Sequence, residues 1–371
     1  MQENVKSCTI LARDKKRIGV LTGGGDCPGL NAAIRAVAKT AMLNHGMEVV
    51  GIKDGYQGLI ENKYAVLSYH DVSGILAQGG TFLGASNKAN PFRHPDATGK
   101  FRDVSNIVLN NVKIMKLDSL VCIGGDGTLT IAYKLYKKGL KVVGIPKTID
   151  NDLSATDATI GFDSAVITAA EAIDKLHTTA QSHHRVMLIE VMGRYAGWLA
   201  LYSGVAGGGD IIIIPEIPYD IKKICGIVRE RHKRGKRFSI VVVSEGARQK
   251  GGKMIIKKIV KDSTDPVRLG GIGNKIANDI EAITGLETRV TVLGHLQRGG
   301  TPSPFDRILA TRLGVFGCDL AARGDFGKMA SLKGRDIVAV NLREAVRRTR
   351  LVNPRDPMIK SAIAVGTSFG V

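Results

Sequence analysis

Short apolar runs rich in valine and isoleucine recur along the whole chain, and most of them end at a glycine, a proline or an acidic residue. Runs of this length and composition predict buried strands of a parallel sheet. They cover 17–21, 47–52, 119–123, 140–145, 185–192, 211–214, 238–243 and 288–293. Segments with apolar side chains at helical spacing, such as 106–115 and 163–179, lie between them. This alternation predicts an α/β fold with two doubly wound, Rossmann-like domains that face each other across a cleft.

Two of these runs are followed by loops that carry acidic residues. Asp126 follows the run at 119–123 in the sequence GGDGT, and Asp150 and Asp152 follow the run at 140–145 in the sequence PKTIDND. Carboxylates beside glycines at strand ends suit a site for phosphate and a metal ion, because glycines let backbone N–H groups approach an anion closely. The competing interpretation is a pair of tight turns with solvated aspartates.

The first predicted strand leads into a glycine-rich loop, TGGGDCPGLN at 22–31, and then into a helix that begins near Pro28. A strand, a glycine-rich loop and a helix together form a phosphate cradle, in which Gly24 and Gly25 allow close backbone approach. The spacing is neither that of the Rossmann GxGxxG motif nor that of a P-loop. A purely structural loop is the alternative.

Basic residues of the second half fall at strand ends or in glycine-rich loops. They are Arg185, Arg194, Arg289, His295 and Arg298. Arginine binds phosphate through two parallel hydrogen bonds, so a group of such residues predicts a site for a phosphorylated ligand. Any one of them alone is better explained as a surface residue.

The formal net charge of +19 raises the possibility of nucleic-acid binding. The densest basic clusters, at 229–237 and 343–350, have no interleaved aromatic residues for base stacking, and we predict that both are solvated helix faces. A basic field that attracts phosphorylated metabolites explains the charge without a nucleic-acid partner.

The remaining composition predicts a cytoplasmic protein with no membrane partner. Five scattered cysteines form no CxxC pair, which favours a reducing compartment over a disulfide framework. No apolar run approaches the roughly 18 residues of a membrane span. Residues 1–17 are polar and lack the apolar core of a signal peptide. His183 and His184 are adjacent and have no third ligand at typical spacing, so a zinc site is not favoured.

Seven motifs taken together resemble the phosphofructokinase family. They are TGGGDCPGLN (22–31), GGTFLG (79–84), IGGDGT (123–128), PKTIDND (146–152), EVMGRYAG (190–197), SEG (244–246) and ETRVTVLGHLQRGG (287–300). NAD kinases and lipid kinases share only the GGDGT turn. The resemblance implies a phosphofructokinase-like fold and transfer of a phosphoryl group to the 1-hydroxyl of fructose 6-phosphate in glycolysis, with Mg²⁺ as the cofactor.

The resemblance also implies roles for single residues. Asp150 matches the general base, Thr148 a substrate contact, Asp152 a residue that assists at the phosphoryl group or metal, and Arg194 the residue that stabilises charge on the transferring phosphoryl group. Asp126 matches the Mg²⁺ ligand. The matches at the donor phosphates are Gly25, Gly125, Gly127 and Thr128. Asn87 and Lys88 stand where ATP-dependent bacterial members have an arginine that contacts the nucleotide.

At the sugar phosphate, the resemblance implies contacts from Thr148, Ile149, Asp150, Met192, Gly193, Arg194, Glu245, His295, Leu296, Gln297 and Arg298. Arg185 and Arg289 match two arginines that reach the 6-phosphate bound by a neighbouring subunit, so a homo-oligomer, a dimer or a tetramer, is expected. No linker divides the chain. We predict a donor domain of 1–161 plus about 299–350 and a sugar-phosphate domain of 162–298 plus about 351–371.

Two residues of the chain favour different phosphoryl donors. In this family, an aspartate at the position of Gly127 opposes the α-phosphate of ATP, and members that carry it use pyrophosphate. Lys147 is expected to contact the donor, because an ammonium there can hold a compact pyrophosphate and stabilise the leaving phosphate. It occurs in pyrophosphate-using members and in some ATP-using groups. Exclusion by a carboxylate is the stronger effect, so Gly127 predicts ATP, and a pyrophosphate-dependent fructose 6-phosphate 1-phosphotransferase is the alternative. Intact Asp126, Asp150 and Arg194 argue against an inactive regulatory subunit.

The family's effector site is only partly matched. Arg35, Lys39, Asp210 and Lys236 correspond to its residues, but His177 stands where an arginine is expected. We therefore expect activation by ADP and inhibition by phosphoenolpyruvate to be weak or absent. The C-terminal 347–371 extends beyond the short bacterial form of the family.

Overall fold

The computed structural model describes residues 15–259 and 267–371. Its strands are β1 (Arg17–Thr22), β2 (Glu48–Ile52), β3 (Tyr64–Leu67), β4 (His94–Pro95), β5 (Phe101–Arg102), β6 (Ser119–Gly124), β7 (Val142–Pro146), β8 (Val186–Val191), β9 (Ile211–Ile213), β10 (Ser239–Ser244), β11 (Ile256–Ile259), β12 (Val267–Leu269), β13 (Thr288–Val292), β14 (Lys328–Lys333) and β15 (Asp336–Asn341).

The helices connect these strands. They are α1 (Leu30–Asn44), α2 (Tyr56–Glu61), α3 (Ser105–Ile114), α4 (Asp126–Lys137), α5 (Phe162–His183), α6 (Trp198–Ala206), α7 (Ile221–Lys233), α8 (Ile272–Thr284), α9 (Pro304–Arg323), α10 (Leu342–Ala345) and α11 (Pro357–Ala364), with 3₁₀ turns at Ile75–Ala77 and Gly294–Arg298. In the described part of the chain, no helix is both long enough and apolar enough to cross a membrane.

The larger sheet has the strand order β15-β14-β7-β6-β1-β2-β3. The strands from β14 to β2 are parallel to their neighbours, whereas β3 and β15 pair antiparallel at the two edges. Gly124 at the end of β6 pairs with Pro146 at the end of β7, and Thr22 at the end of β1 pairs with Ile123. The loops that follow these three strands therefore emerge side by side.

The second sheet is parallel throughout, with the strand order β13-β8-β10-β9. Helices cover both faces of each sheet: α1 and α9 opposite α2, α3 and α4 on the first, and α5 and α6 opposite α7 and α8 on the second. The apolar core beneath α1 and α9 continues into the core beneath α5 and α6, so buried side chains join the two halves.

The predicted α/β, doubly wound architecture is confirmed, and each of the eight predicted strands is present with ends shifted by at most two residues. The segment 92–105 contains no motif and is expected from its sequence to be an exposed loop, but this expectation is wrong, because β4 and β5 form a short hairpin there. The solvated helix face predicted over 343–350 is also wrong in part: the helix ends at Ala345, and the guanidinium carbon of Arg350 lies 4.4 Å from the ring centroid of Trp198. The predictions for residues 1–14, including Cys8, lie outside the described residues.

Candidate active site

Three acidic residues meet where β6 and β7 end. Asp126 is the first residue of α4, directly after the glycines that end β6, and Asp150 and Asp152 lie on the loop after β7. Burial raises the pKa of Asp152 to about 7, and the charges of Asp150 and Asp126 add to this rise. The three carboxylates are therefore close enough for their charges to interact, as the GGDGT and PKTIDND loops predict.

Asp150 lies at the centre of this group and is surrounded by cations from both halves of the chain. Burial raises the pKa of Asp150, and the charges of Arg298, Arg194 and Lys147 oppose that rise. Within the described part of the protein, the buried Oδ1 of Asp150 has no hydrogen-bond partner. A buried carboxylate oxygen without a donor, beside three cations, is poised to accept a proton or a hydrogen bond from a bound ligand.

Lys147 holds the glycine-rich loop in place. Its side chain is buried, and its Nζ donates hydrogen bonds to the carbonyl oxygens of Gly23, at 3.0 Å, and of Gly25. Burial lowers the pKa of Lys147. Two of the three N–H groups of this ammonium are thus already used by the backbone of the loop after β1.

The glycine-rich loop also touches the second half of the chain. Arg298 Nη1 donates a hydrogen bond to the carbonyl oxygen of Asp26 at 3.1 Å. A Cβ atom at position 25 would collide with the end of the Arg298 side chain, so a larger residue there would displace the guanidinium. The loop after β1 and the 3₁₀ turn after β13 therefore form opposite walls of one site.

The MGR and SEG segments form the third wall. The Glu245 N–H donates to the carbonyl oxygen of Val191 at 2.8 Å, and the Gly246 N–H donates to that of Gly193 at 3.2 Å. A side chain at position 246 would collide with the carbonyl of Arg194. Burial raises the pKa of Glu245 to about 7, with a further rise from the charge of Asp150, so Glu245 faces the same space as the acidic group.

A cavity of about 520 Å³ opens beside the glycine-rich loop. It is lined by Gly24, Asp26, Asn31, residues 78–82 and 84–85, and Asn87. Asn31 shapes it, because its Nδ2 donates to the carbonyl oxygens of Gln78 and Gly79 at 3.2 and 3.1 Å and its Oδ1 accepts from the Phe82 N–H at 2.9 Å. Asn31 lies in the first turn of α1, and these partners, which are about 50 residues away, are not predicted by any local pattern of the sequence.

The other predicted residues are distributed around this space. Thr148 Oγ1 accepts a hydrogen bond from the Asp150 N–H at 3.1 Å. Gln297 is buried, and its Oε1 accepts from the Met192 N–H at 3.2 Å, so its side chain joins two loops. Among the rest, Ile149, Thr128 and Gly193 are buried, Gly25, Gly125 and Met192 are partly buried, and Lys88, Gly127, His295 and Leu296 are exposed.

Arg185 and Arg289 do not lie in this space. Arg185 precedes β8 and Arg289 is at the start of β13, whereas Arg194 follows the end of β8. A strand of this length spans about 20 Å, so the two arginines lie at the amino-terminal ends of β8 and β13, on the side of the second sheet that is away from the site. There, Arg185 Nε lies 2.8 Å from Glu287 Oε2, and Arg289 also pairs with Glu287.

The sequence profile described as Phosphofructokinase matches residues 17–321. The chain belongs to the phosphofructokinase family. The ATP-dependent 6-phosphofructokinase 2 of Clostridium perfringens is 53% identical over 359 residues, which are 95% of this chain and 98% of that protein. The pyrophosphate–fructose 6-phosphate 1-phosphotransferase of Streptomyces coelicolor is 50% identical over 339 residues, 91% of this chain and 96% of that protein.

Solved structures agree with this family. The phosphofructokinase of Saccharomyces cerevisiae superposes with a TM-score of 0.77 at 33% identity over 90% of this chain. This chain spans 45% of the length of the yeast chain. The family predicted from the seven motifs is confirmed.

Proposed function

We propose that this phosphofructokinase transfers the γ-phosphoryl group of ATP to the 1-hydroxyl of D-fructose 6-phosphate and gives fructose 1,6-bisphosphate, as an enzyme of glycolysis in the cytoplasm. Family membership and the name of the Clostridium perfringens relative support this activity. The observation that carries it is Asp150, whose buried Oδ1 has no hydrogen-bond partner among the described residues and which is surrounded by cations where the loops of both halves meet.

In this proposal, Asp150 is the general base. Its Oδ1 accepts the proton of the sugar 1-hydroxyl as the oxygen attacks the γ-phosphorus, and the bond from the γ-phosphorus to the bridging oxygen breaks to release ADP. A positioned base contributes about 10²–10⁴ in rate. Burial raises the pKa of Asp150, and a carboxylate with a higher pKa is a stronger base. Arg194 stabilises negative charge on the transferring phosphoryl group, and the Gly25 N–H donates to a phosphate oxygen.

The acidic group fits a magnesium ion. Within 15–259 and 267–371, no three His, Cys, Asp or Glu side chains form a closed metal site. Mg²⁺ needs none, because it binds one or two carboxylates and completes its shell with phosphate oxygens and water. Burial and then the charges of Asp150 and Asp126 raise the pKa of Asp152, and a bound cation would offset those two charges. Asp126 would hold the ion, with Asp152 beside it; when bound, Mg²⁺ neutralises charge on the donor phosphates.

The proposed donor is ATP, although the two relatives carry names with different donors. Gly127 lies exposed in the first turn of α4 and places no carboxylate against the α-phosphate. Lys147 does not counter this, because its ammonium is buried and bonded to the glycine-rich loop. The lysine thus has a structural role that is compatible with ATP as well as with pyrophosphate.

The remaining site residues have proposed roles from the family match. Gly125 and Thr128 bind donor phosphates and Asn87 and Lys88 lie near the nucleotide, while Thr148, Ile149, Met192, Gly193, Glu245, His295, Leu296, Gln297 and Arg298 form the sugar-phosphate site. Arg185 and Arg289 complete the site of a neighbouring subunit in a dimer or tetramer. Their position at the amino-terminal ends of β8 and β13 supports this, because from there they cannot reach the Asp150 of their own subunit.

Replacement of Asp150 tests the proposed base. Asp150→Asn keeps the size of the side chain and removes its basicity, so kcat with ATP and fructose 6-phosphate should fall by about 10²-fold or more, with KM changed less than about tenfold. Asp157→Asn is the matched control, since Asp157 lies on the same loop but is exposed and pairs with Lys333. Near-normal turnover of Asp150→Asn would eliminate the assignment.

Replacement of Gly127 tests the basis of donor choice. Gly127→Asp should abolish use of ATP, whereas Gly127→Asn, which has the same size without the charge, should retain part of it because Coulomb repulsion of the α-phosphate is absent. Steady-state rates with ATP and with pyrophosphate measure both effects. Unchanged use of ATP by Gly127→Asp would contradict the argument.

A further inference from the structure

The C-terminal segment 349–352 lies against the loop that carries the proposed base. The Arg350 N–H donates to the carbonyl oxygen of Asp152 at 2.7 Å. The Arg350 guanidinium donates, through Nη1, to the carbonyl oxygens of Asn151 at 3.3 Å and Asp157 at 3.0 Å. Leu153 and Thr349 form an isolated β-bridge beside these bonds. Arg350 thus binds the backbone of the loop on both sides of Asp152, the aspartate proposed to lie beside the metal ion.

The same segment is bonded to the start of α6, four residues after Arg194. Trp198 Nε1 donates to the carbonyl oxygen of Arg350 at 2.8 Å, and the Arg350 guanidinium stacks on the Trp198 ring. Glu216 Oε1 accepts from the N–H groups of Val352, at 2.8 Å, and of Gly197, at 3.0 Å. The segment therefore bridges the loop of Asp150, from the first half of the chain, and the loop of Arg194, from the second.

The loop of Asp150 needs such support. Asn151 has φ 49° and Ala155 has φ 62°, both in the left-handed region that residues other than glycine rarely adopt. Each such conformation is unfavourable and persists only where the surroundings fix it. Ser154 Oγ adds a bond to the carbonyl oxygen of Arg348 at 2.6 Å. The conformation next to the proposed base is thus held by contacts from about 200 residues later in the sequence.

We propose that Arg350 is a positioning residue for phosphoryl transfer: it fixes the loop of Asp150 relative to the loop of Arg194 without touching substrate. This inference rests on the proposed function. Arginine suits the task because its planar guanidinium donates in a fixed fork and stacks on an aromatic ring, whereas an ammonium does neither as well.

Kinetics of Arg350 variants test the inference. A displacement of about 1 Å at a catalytic group costs on the order of 10²-fold in rate, so Arg350→Ala should lower kcat at least about tenfold. KM for fructose 6-phosphate should change less than about threefold, because Arg350 makes no substrate contact. Arg350→Lys should give an intermediate kcat. Arg348→Ala is the matched control, since the Arg348 side chain is exposed on the same segment and the change of charge is equal.

Fluorescence provides a second readout that does not depend on activity. Trp198 is the single tryptophan of the chain, so its emission reports directly on the Arg350 contact. Arg350→Ala should shift this emission to longer wavelength, and Arg348→Ala should not. A purely structural contribution of Arg350 would lower the thermal stability and the amount of active enzyme but leave kcat per folded molecule unchanged.

The outcomes separate the two claims. If the wild type does not phosphorylate fructose 6-phosphate, the proposed function fails. If the wild type is active and Arg350→Ala keeps its kcat per folded molecule, the inference about Arg350 is overturned alone. Should Arg350→Ala not fold, Arg350→Lys decides, because a wild-type kcat in that variant would equally overturn the need for the guanidinium fork.

Discussion

Neutralisation of Glu245 should stabilise the protein at alkaline pH and leave its stability unchanged in acid. Glu245 is half-buried in the site, and its pKa is raised from the ordinary 4.5 to about 7 by burial and by the charge of Asp150. The carboxyl is therefore easier to protonate in the folded than in the unfolded chain. Its contribution to stability is fully present below pH 4.5 and is lost as the pH rises through about 7.

The size of the effect follows from these two values. The difference between 4.5 and about 7 corresponds to at most about 3 kcal/mol in the free energy of unfolding. The side chain is partly exposed, so solvent screening reduces this to about 1–2 kcal/mol. Glu245→Gln, which is neutral at every pH, should therefore gain about 1–2 kcal/mol at pH 8, a rise of about 1–3 °C in Tm for a chain of this length, and gain nothing at pH 4.5.

Thermal unfolding of the wild type and Glu245→Gln between pH 4.5 and 8 measures this difference. Glu171→Gln, at an exposed carboxylate on α5, is the control and should show no pH-dependent gain. Activity of Glu245→Gln should fall at the same time, because a site residue that destabilises the fold is retained for function. A stability difference that does not vary with pH, or a variant less stable at pH 8 than the wild type, would refute the reasoning.

Two further predictions follow from the placement of basic residues. Arg289→Ala should raise KM for fructose 6-phosphate by about tenfold or more, since a charge-assisted bond to phosphate contributes about 1.5–3 kcal/mol. Activity should also require assembly of subunits, so a fully active monomer in sedimentation under assay conditions would contradict the placement of Arg289. ADP should activate weakly or not at all, because the His177 ring already bonds the carbonyl oxygen of Gly207 at 2.7 Å and Asp210 pairs with Arg231 at 2.6 Å. A sigmoidal dependence of rate on fructose 6-phosphate that becomes hyperbolic with ADP would contradict this prediction.

The buried parallel strands could be predicted from the sequence because both of their faces are covered, so they appear as unbroken apolar runs. The edge strands β3 and β15 could not, since Leu67 is the only buried residue of β3 and β15 has none, so neither strand forms an apolar run. The loops of Asp126 and Asp150 could be located for the same reason as the strands: each begins where a buried run ends.

Local patterns in the sequence do not predict contacts between segments that are far apart in the chain. Arg350 belongs to a dense basic cluster, and charge density alone predicted a solvated face, whereas its partners Trp198 and Asn151 lie 152 and 199 residues away. Lys147 was interpreted from its neighbours in the motif, although its hydrogen bonds go to the glycine-rich loop over 120 residues earlier. Residue types and spacing predict which loops carry chemistry, and only the fold determines which side chains support them.

The central claim is transfer from ATP to fructose 6-phosphate, and a comparison of donors tests it most directly. The purified protein, with Mg²⁺ and fructose 6-phosphate, is given either ATP or pyrophosphate, and the initial rate of fructose 1,6-bisphosphate formation is measured. We expect kcat/KM for ATP to exceed that for pyrophosphate by about a hundredfold or more, a difference of about 2.7 kcal/mol in transition-state stabilisation. Comparable or faster turnover with pyrophosphate, or no bisphosphate formed with ATP, would contradict the account.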